Sequence, residues 1–505
     1  MLLEVSKLQV ALDGTLLVDG LSFSLDRGER LAIVGQSGSG KSTVGLALAG
    51  LLPQGAAVKG SVLLDSAALP ATPAAWAELR RTRIGIVAQT TSPALDPAQT
   101  VAQIVGNAEL VAQFGLLPER FASRLTAAER QLAQIAAALA RKPDLLILDE
   151  PFALLDAPAE KRLVELLQSQ PMAMLIIGHD LAAASALSQR IVVLNQGRVV
   201  ENGPTAQVLS RPMEDYSREL IAGSRIRART LMRSPIGTTL LEAQGVTAVI
   251  RQRDRIFSRT KPIIALDDVS FVLRRGEALA VVGAAGAGKT TLARAVAGIG
   301  RLRKGTLIFE HHAYRGRDLP RLLRGEISLV FSDPRQAFSP RMTLGASIAE
   351  PLLLDQHHTI EEQTDRLMDV LEAVGITTEH LELYPRDLGL YELQLVALAR
   401  ALIGRPRLVV LDDPVQLLNA RQRGDMLTLI NRVRADFSFS ALITSSNLDL
   451  MRHIADRALI LDGGRLVDEG KPGELLDNPN HAATRALADA RLPEVGIGVV
   501  APVGR

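Results

Sequence analysis

Gly35-Gln36-Ser37-Gly38-Ser39-Gly40-Lys41-Ser42 is the stretch that decides the fold, because it matches the phosphate-binding pattern G-x-x-x-x-G-K-[ST]. The pattern recurs as Gly283-Ala284-Ala285-Gly286-Ala287-Gly288-Lys289-Thr290. Each copy follows an apolar run that predicts a strand and precedes an Ala- and Leu-rich stretch that predicts a helix. In that setting the backbone N–H groups of the loop surround phosphates, the lysine adds positive charge and the terminal hydroxyl can bind Mg²⁺. The sequence therefore predicts two nucleotide sites.

Composition limits the remaining possibilities. A chain of 505 residues is too long for one hydrophobic core, so at least two domains are expected. The 57 basic and 55 acidic residues leave a net charge of +2, which gives no indication of a nucleic-acid partner. The absence of Cys excludes disulfides, thiolate metal sites and iron–sulfur clusters. No apolar run approaches the length of a bilayer span and no signal peptide precedes the first strand, so we expect any membrane crossing to belong to another subunit.

Internal repetition organises the chain. Lys41 and Lys289 are 248 positions apart, and the segment 145–151 (LLILDEP) corresponds to the segment 408–414 (LVVLDDP) in the second half. Continuous apolar strands alternate with helical segments, which is typical of a mostly parallel sheet covered by helices. We predict an α/β fold made of two tandem phosphate-loop domains, each with a mostly parallel sheet, an antiparallel edge and a helical subdomain. The predicted boundaries are a first domain over 1–222, a linker over 223–239, a second domain over 240–490 and a flexible tail over 491–505.

Polar residues at strand ends supply candidates for catalysis. Asp149, at the carboxyl end of an apolar strand, can hold Mg²⁺, and the adjacent Glu150 can polarise the attacking water. His179 ends a later strand and can hydrogen-bond the γ-phosphate and the water. Gln89 ends another strand and can sense Mg²⁺ and the water. Asp412 repeats Asp149 in the second half.

These residues define three predicted sets. The predicted Mg²⁺ ligands are Ser42, Gln89, Asp149, Thr290 and Asp412. The predicted ATP-binding residues are those of the two loops together with the threonine that follows each loop: Gly35, Gln36, Ser37, Gly38, Ser39, Gly40, Lys41, Ser42, Thr43, Gly283, Ala284, Ala285, Gly286, Ala287, Gly288, Lys289, Thr290 and Thr291. The predicted catalytic residues are Glu150, His179 and Gln89.

Taken together, the chain resembles the ABC-type ATPases, the nucleotide-binding subunits of transporters, over nearly its whole length. The segments 331–334 (FSDP), 339–343 (SPRMT) and 348–352 (IAEPL) are similar to the oligopeptide, dipeptide and nickel importer branch. The resemblance implies ATP and Mg²⁺ as cofactors and a peripheral position on the cytoplasmic face of the inner membrane. It also implies two transmembrane permease subunits as partners, an extracytoplasmic solute-binding protein acting through them, and no nucleic acid. The transported solute is open: a peptide is the default, and a nickel chelate or another small solute is the alternative.

The chain departs from the family in its signature segment, L-S-G-G-Q, which in the family grips the γ-phosphate bound to the opposite half. The first half has 125–129 (LTAAE), in which Thr126 keeps a hydroxyl, so the resemblance assigns Thr126 to the ATP-binding residues. The second half has 388–392 (LGLYE), which has no hydroxyl and carries Leu390 and Tyr391 at the glycine positions. We expect the second signature to fail as a phosphate clamp.

The second half also lacks four family side chains. Its residues at the positions of Gln89, Glu150, His179 and Asp156 are Ser332, Asp413, Ser446 and Asn419. We therefore expect ATP turnover at Lys41 and Glu150, with the second loop holding ATP as a structural clamp. In addition, 36 positions separate Gln89 from Leu125 but 56 separate Ser332 from Leu388, so the first helical subdomain is shorter.

Two other functions stay open at this point. One is a non-hydrolysing, nucleotide-gated scaffold of the same transporter complex. The other is a soluble tandem ABC protein acting on ribosomes, against which the short linker and the poor signatures count.

Overall fold

The computed structural model describes residues 1–36, 38–88, 95–224, 236–252, 261–354 and 359–491. The described chain divides into two compact units, one formed essentially by residues before 225 and the other by residues after 235. Both units are α/β structures with the same order of strands, so the predicted fold class is confirmed.

The first unit contains ten strands and nine helices among its described residues. Its strands are β1 (Leu3–Leu12), β2 (Thr15–Leu25), β3 (Arg30–Val34), β4 (Ala57–Leu64), β5 (Ala67–Ala68), β6 (Ile84–Val87), β7 (Leu145–Asp149), β8 (Ala173–Gly178), β9 (Arg190–Asn195) and β10 (Arg198–Pro204). Its helices are α1 (Lys41–Leu48), α2 (Pro73–Thr82), α3 (Val101–Val105), α4 (Ala108–Gln113), α5 (Ala127–Ala140), α6 (Ala157–Gln168), α7 (Leu181–Leu187), α8 (Thr205–Ser210) and α9 (Asp215–Ser224).

The second unit repeats this plan. Its described strands are β11 (Thr239–Gln252), β12 (Lys261–Arg274), β13 (Ala278–Val282), β14 (Lys304–Phe309), β15 (His312–Tyr314), β16 (Ile327–Val330), β17 (Leu408–Asp412), β18 (Ser440–Ser445), β19 (Arg457–Asp462) and β20 (Arg465–Gly470). Its described helices are α10 (Lys289–Val296), α11 (Leu344–Ala349), α12 (Ile360–Val374), α13 (Leu390–Leu402), α14 (Ala420–Phe437), α15 (Leu448–Met451), α16 (Pro472–Asp477) and α17 (Ala482–Asp489).

Each unit is built on two sheets. The larger sheet of the first unit has the order β10-β9-β3-β8-β7-β6, in which all neighbours are parallel except the β10–β9 pair at one edge. The second unit repeats it as β16-β17-β18-β13-β19-β20. The smaller sheets, β2-β1-β4-β5 and β12-β11-β14-β15, are antiparallel. Since the central strands are covered on both faces, they read as continuous apolar runs, and Leu145–Leu148 are fully buried.

The turns follow from local sequence. Asp13 and Gly14 join β1 to β2 with φ values of 48° and 81°, which is the left-handed geometry of a two-residue hairpin turn. Gly463 and Gly464 join β19 to β20 in the same region, with φ values of 51° and 84°. These tight turns fix the register of the β1–β2 pair in the smaller sheet of the first unit and of the β19–β20 pair at the edge of the larger sheet of the second.

The two helical subdomains differ in length. Between β6 and α5 the first unit has α3 and α4, and α4 contains 6 residues. Between β16 and α13 the second unit has α11 and α12, and α12 contains 15 residues, begun by a capping box of Thr359 with Glu362. The longer helix thus accounts for 9 of the 20 extra positions read from the sequence, and the second unit also has more 3-10 turns in this interval.

Several sequence predictions fall outside the described residues. They are the positions Ser37 and Gln89, most of the 223–239 linker, and nearly all of the 491–505 tail. Within the ranges the structure describes, no helix is long and apolar enough to cross a membrane.

Candidate nucleotide sites

The first phosphate loop (35–42) lies at the carboxyl end of β3, where parallel sheets commonly bind ligands. Gly40 immediately precedes α1 and has φ of +96°, and a Cβ at this position would lie 2.5 Å from the carbonyl oxygen of Leu17. Only glycine fits there. The α1 N-terminus therefore points its free N–H groups toward the space enclosed by the loop, which is the geometry that binds phosphate.

Lys41 is the first residue of α1 and its side chain turns back over the loop. Its Nζ donates to the carbonyl oxygens of Gly35 at 2.9 Å and Gln36 at 2.7 Å. Burial lowers the pKa of Lys41, and the carboxylates of Glu150 and Asp149 oppose that effect. The ammonium is thus held inside the loop, close to two carboxylates at the end of β7.

Asp149 ends β7 and is 5% exposed. Burial raises its pKa from 3.8 to about 6, while a hydrogen bond from the Ser42 hydroxyl and the charge of Lys41 act in the opposite direction. Its Oδ1 is buried and accepts no hydrogen bond from the protein. A buried carboxylate oxygen without a donor, next to a hydroxyl, fits a hard divalent cation.

The number of protein ligands at this point is small. No group of three or more acidic, His or Cys side chains that could hold a metal occurs among the residues described. Mg²⁺ in nucleotide enzymes usually keeps waters and binds one or two protein oxygens together with substrate phosphates. Ser42 and Asp149 fit that role for a Mg²⁺ ion carried in with the nucleotide.

Glu150 and His179 form a pair. His179 Nδ1 lies 2.7 Å from Glu150 Oε1, and both side chains are mostly buried. Glu150 has a left-handed backbone with φ of +52°, and its N–H donates to the Ile177 carbonyl at 2.8 Å. Gln131, on α5, donates from Nε2 to the Glu150 carbonyl at 2.8 Å. The sequence predicts Glu150 and His179 in one site, and the structure brings them together.

Gln131 was not predicted from the sequence. The sequence contains one weak signal for it, which is a glutamine, Gln394, at the same position of α13 in the second unit. In the structure Gln394 Nε2 donates to the Phe331 carbonyl at 3.3 Å. In both units a buried glutamine thus joins the helix after the signature segment to the loops at the sheet edge.

The second phosphate loop (283–290) repeats the geometry of the first. Gly288 precedes α10 with φ of +107°, and Lys289 Nζ donates to the carbonyl oxygens of Gly283 at 2.7 Å and Ala284 at 2.8 Å. Burial lowers the pKa of Lys289. The predicted loop residues that follow the lysines, Ser42 and Thr43 in α1 and Thr290 and Thr291 in α10, lie in the first helical turns. Both loops therefore have the arrangement that the sequence predicts for binding nucleotide phosphates.

The carboxylates of the second unit have different partners. Asp412 Oδ1 accepts hydrogen bonds from the Thr290 hydroxyl at 3.0 Å and the Thr444 hydroxyl at 2.7 Å. Burial raises the pKa of Asp413 from 3.8 to about 6, and among the opposing effects is a hydrogen bond from the Ser446 backbone N–H. Because Ser446 stands where the first unit has a histidine, the second unit has no carboxylate–imidazole pair at this position.

The signature segments lie at helix N-termini. Thr126 caps α5: its Oγ1 accepts the Glu129 N–H at 3.2 Å, and the Glu129 carboxylate accepts the Thr126 N–H at 2.8 Å. In the second unit Gly389 precedes α13, and only the reverse bond, from the Gly389 N–H to Glu392 at 2.9 Å, is made. The second helix therefore begins without a side-chain hydroxyl.

One further contact to the first phosphate loop was not predicted. Tyr216, on α9, accepts a hydrogen bond from the Gln36 N–H at its hydroxyl oxygen, at 3.0 Å. Its ring packs against a cluster that includes Val34, the last residue of β3. From the sequence alone, Tyr216 is an aromatic residue in the segment that follows the first sheet, and nothing in that segment predicts its contact with Gln36.

Comparison with known proteins shows the family to which the chain is related. The family model described as ABC transporter matches residues 18–153 and 266–416. The chain is 30% identical over 508 residues to the peptidoglycan transport ATP-binding protein YejF of Agrobacterium fabrum, covering 94% of this chain and 92% of that protein. It is 29% identical over 535 residues to the glutathione import ATP-binding protein GsiA of Salmonella paratyphi A, covering 94% and 86%. Among solved structures, a dimeric ATP-binding cassette with ADP and Pi matches 46% of this chain and 99% of its own, at 20% identity and a TM-score of 0.41.

Proposed function

Since this chain belongs to the ABC transporter family and carries two tandem ATP-binding domains of its importer ATPases, we propose that it binds and hydrolyses ATP to energise uptake of a small peptide-like solute. The solute class is supported by the two relatives, whose names refer to glutathione and to peptidoglycan. The site geometry adds a second proposal: turnover takes place in the first unit, and the second unit mainly holds ATP.

One observation carries the assignment of turnover. In the first unit Glu150 lies beside His179 and follows Asp149 at the same sheet edge as the phosphate loop. Glu150 can accept a proton from an attacking water, and His179 can orient that water and the γ-phosphate. Lys41 supplies positive charge to the phosphates. Ser42 and Asp149 would hold a Mg²⁺ ion, whose charge would be available to neutralise the phosphate oxygens.

The second unit supports ATP retention without efficient hydrolysis. Its loop and Lys289 are arranged as in the first unit. However, the Asp413 carboxylate accepts the Ser446 backbone N–H, and no imidazole lies beside it. A shorter carboxylate without a histidine partner is a poor general base, so this unit would act as a slow site.

Replacement of each carboxylate by its amide tests the assignment. In the complex assembled with its permeases, Glu150→Gln should lower the ATPase rate by about 10²–10⁴-fold, the usual contribution of a general base. The matched change Asp413→Asn should leave most of the turnover. Both variants should still bind ATP, which a fluorescent ATP analogue can measure. If the parent complex hydrolyses ATP at a measurable rate and Glu150→Gln leaves that rate unchanged, the site is assigned to the wrong unit.

We place the protein at the cytoplasmic face of the inner membrane, bound to two permease subunits that receive solute from an extracytoplasmic binding protein. The relatives are named as ATP-binding proteins of glutathione import and of peptidoglycan transport. The helical subdomains that would contact the permeases differ in length, and α12 is 9 residues longer than α4. Non-identical permeases are therefore expected. Affinity purification from cells should recover two different membrane subunits, whereas co-purification with ribosomes and no membrane protein would favour the translation-factor alternative.

The non-hydrolysing scaffold is the second candidate, favoured by the signature helices. Neither segment has the two glycines of the family signature, and only α5 keeps a capping hydroxyl, from Thr126. Measurement of ATPase activity separates the two functions. A scaffold would show nucleotide-dependent assembly with permeases and the same negligible turnover before and after Glu150→Gln.

A further inference from the structure

The two units differ at one buried strand position next to their first carboxylate. In the parallel register of the first unit, Asp149 is paired with Ile177, and in the second unit Asp412 is paired with Thr444. Ile177 and Thr444 are both fully buried. A hydroxyl therefore replaces an ethyl group at the point where Mg²⁺ would be held.

The Thr444 hydroxyl makes two hydrogen bonds whose directions are fixed. It accepts the Asp413 N–H at 3.0 Å, and its own proton goes to Asp412 Oδ1 at 2.7 Å. The Thr290 hydroxyl donates to the same Oδ1 at 3.0 Å. A carboxylate oxygen has two lone pairs, so these two donors use the acceptor capacity of Oδ1.

The first unit lacks this arrangement. Asp149 accepts a bond from the Ser42 hydroxyl, while its Oδ1 is buried with no donor. The Glu150 N–H donates to the Ile177 carbonyl at 2.8 Å, so it needs no side-chain partner. Oδ1 of Asp149 is thus open to a cation or its bound water, whereas Oδ1 of Asp412 already accepts two hydroxyl protons.

We propose that Thr444 is a positioning residue that makes the second nucleotide site weakly dependent on Mg²⁺. The Thr444 hydroxyl donates to Asp412 Oδ1 and so occupies an acceptor site that would otherwise be available to the Mg²⁺ shell. The loop and Lys289 retain the nucleotide. This inference rests on the proposed function, because it requires both loops to bind ATP. It assigns to the second unit nucleotide retention with little contribution from the metal.

The test compares ATP affinity with Mg²⁺ and with EDTA in the full chain. A fluorescent ATP analogue is titrated into a Lys41→Ala chain, which reports the second site, and a Lys289→Ala chain, which reports the first. We expect removal of Mg²⁺ to weaken binding at the first site by about tenfold or more and at the second by about threefold or less, since partners of a metal's ligands usually change metal affinity by 10–100-fold.

Substitution of Thr444 then assigns the effect to its hydroxyl. In the Lys41→Ala chain, Thr444→Val removes the hydroxyl at nearly constant volume and should raise the Mg²⁺ dependence of the second site about tenfold, whereas Thr444→Ser should keep the wild-type value. The Asp413 N–H retains the Thr444 carbonyl at 3.2 Å, so the valine variant leaves no buried donor unpaired. Circular dichroism checks that each variant is folded.

The outcomes are distinct. If a folded Thr444→Val chain shows the Mg²⁺ dependence of the parent, the role of Thr444 is wrong even though ATP binding stands. If the Lys41→Ala chain binds no nucleotide under either condition, the proposed ATP binding by the second unit fails. The reciprocal change, Ile177→Thr in the Lys289→Ala chain, should lower the Mg²⁺ dependence of the first site, and Mn²⁺ resonance spectra with ATP provide a direct readout of the metal.

Discussion

Replacement of Asp149 by Asn should stabilise the nucleotide-free first unit. The carboxylate is 5% exposed, and burial raises its pKa from 3.8 to about 6. A rise of that size corresponds to about 3 kcal/mol of folding free energy, at about 1.4 kcal/mol for each pKa unit. Because this net shift already includes the opposing attraction of Lys41 and the hydrogen bond from Ser42, we expect the variant to gain up to about 3 kcal/mol.

The gain depends on pH in a defined direction. The pKa of Asp149 is higher in the folded chain than in the unfolded chain, so the folded chain binds more protons between about pH 4 and pH 6. The contribution of Asp149 to stability is therefore present at low pH and is lost as the pH rises through this window. The advantage of the Asn variant should be near zero at about pH 4, increase up to about pH 6, and stay constant above about pH 7.

Urea-induced unfolding, followed by hydrogen–deuterium exchange of peptides from β7, measures this effect in the first unit separately from the second. Asp412→Asn is the matched control. Because Asp412 already accepts two hydroxyl bonds, its replacement should give no gain. With Mg²⁺ and ATP present, the order should reverse in the first unit, since only the wild-type carboxylate binds the cation shell. A variant less stable than wild type at about pH 7.5 without nucleotide, or a gain independent of pH, would refute the reasoning.

Four other changes probe the first unit and its counterpart. Thr126→Ala removes the cap of α5 and should lower stability by about 1 kcal/mol in thermal unfolding, whereas Gly389→Ser should add about 0.3 kcal/mol. Gly40→Ala places a Cβ 2.5 Å from a main-chain oxygen of β2 at φ of +96°, so ATP affinity of the first unit should fall at least about tenfold in equilibrium titrations. Tyr216→Phe removes the acceptor for the Gln36 N–H and should weaken ATP binding there by about 3–10-fold, measured with the second loop disabled; an unchanged affinity would mean that the bond is incidental.

The fold and the position of the sites could be predicted from the sequence because each depends on local chemistry. Few structures other than a phosphate loop fit a segment with Gly40 and Lys41 between an apolar strand and a helix. Its recurrence at Gly288 and Lys289 indicates a duplicated domain. Parallel strands end at the same sheet edge, so Glu150 and His179 could be placed in one site. Their catalytic roles, and the metal role of Asp149, stay predictions that the variants above test.

The remaining features depend on which atoms meet across the chain. Thr444 lies in an apolar strand, where a β-branched residue indicates only a strand, and the direction of its two bonds follows from the geometry around Asp412. The hydrogen bond from the Ser446 backbone N–H to the Asp413 carboxylate also could not be predicted from the sequence, since almost every residue supplies a backbone N–H. Gln89 and Ser37, which the sequence places in the first site, lie outside the described residues, and their roles rest on the sequence prediction.

The bond between Tyr216 and Gln36 has a mechanical consequence. Helix α9 is the last element before the segment that leads to the second half of the chain, and its tyrosine is attached to the loop that would receive the phosphates. If the Tyr216 hydroxyl contributes to ATP affinity, a displacement of α9 would change that affinity. By linkage, ATP binding in the loop would then shift the conformational equilibrium of α9 by the same free energy. This one bond would couple nucleotide binding in the first unit to the position of its last helix.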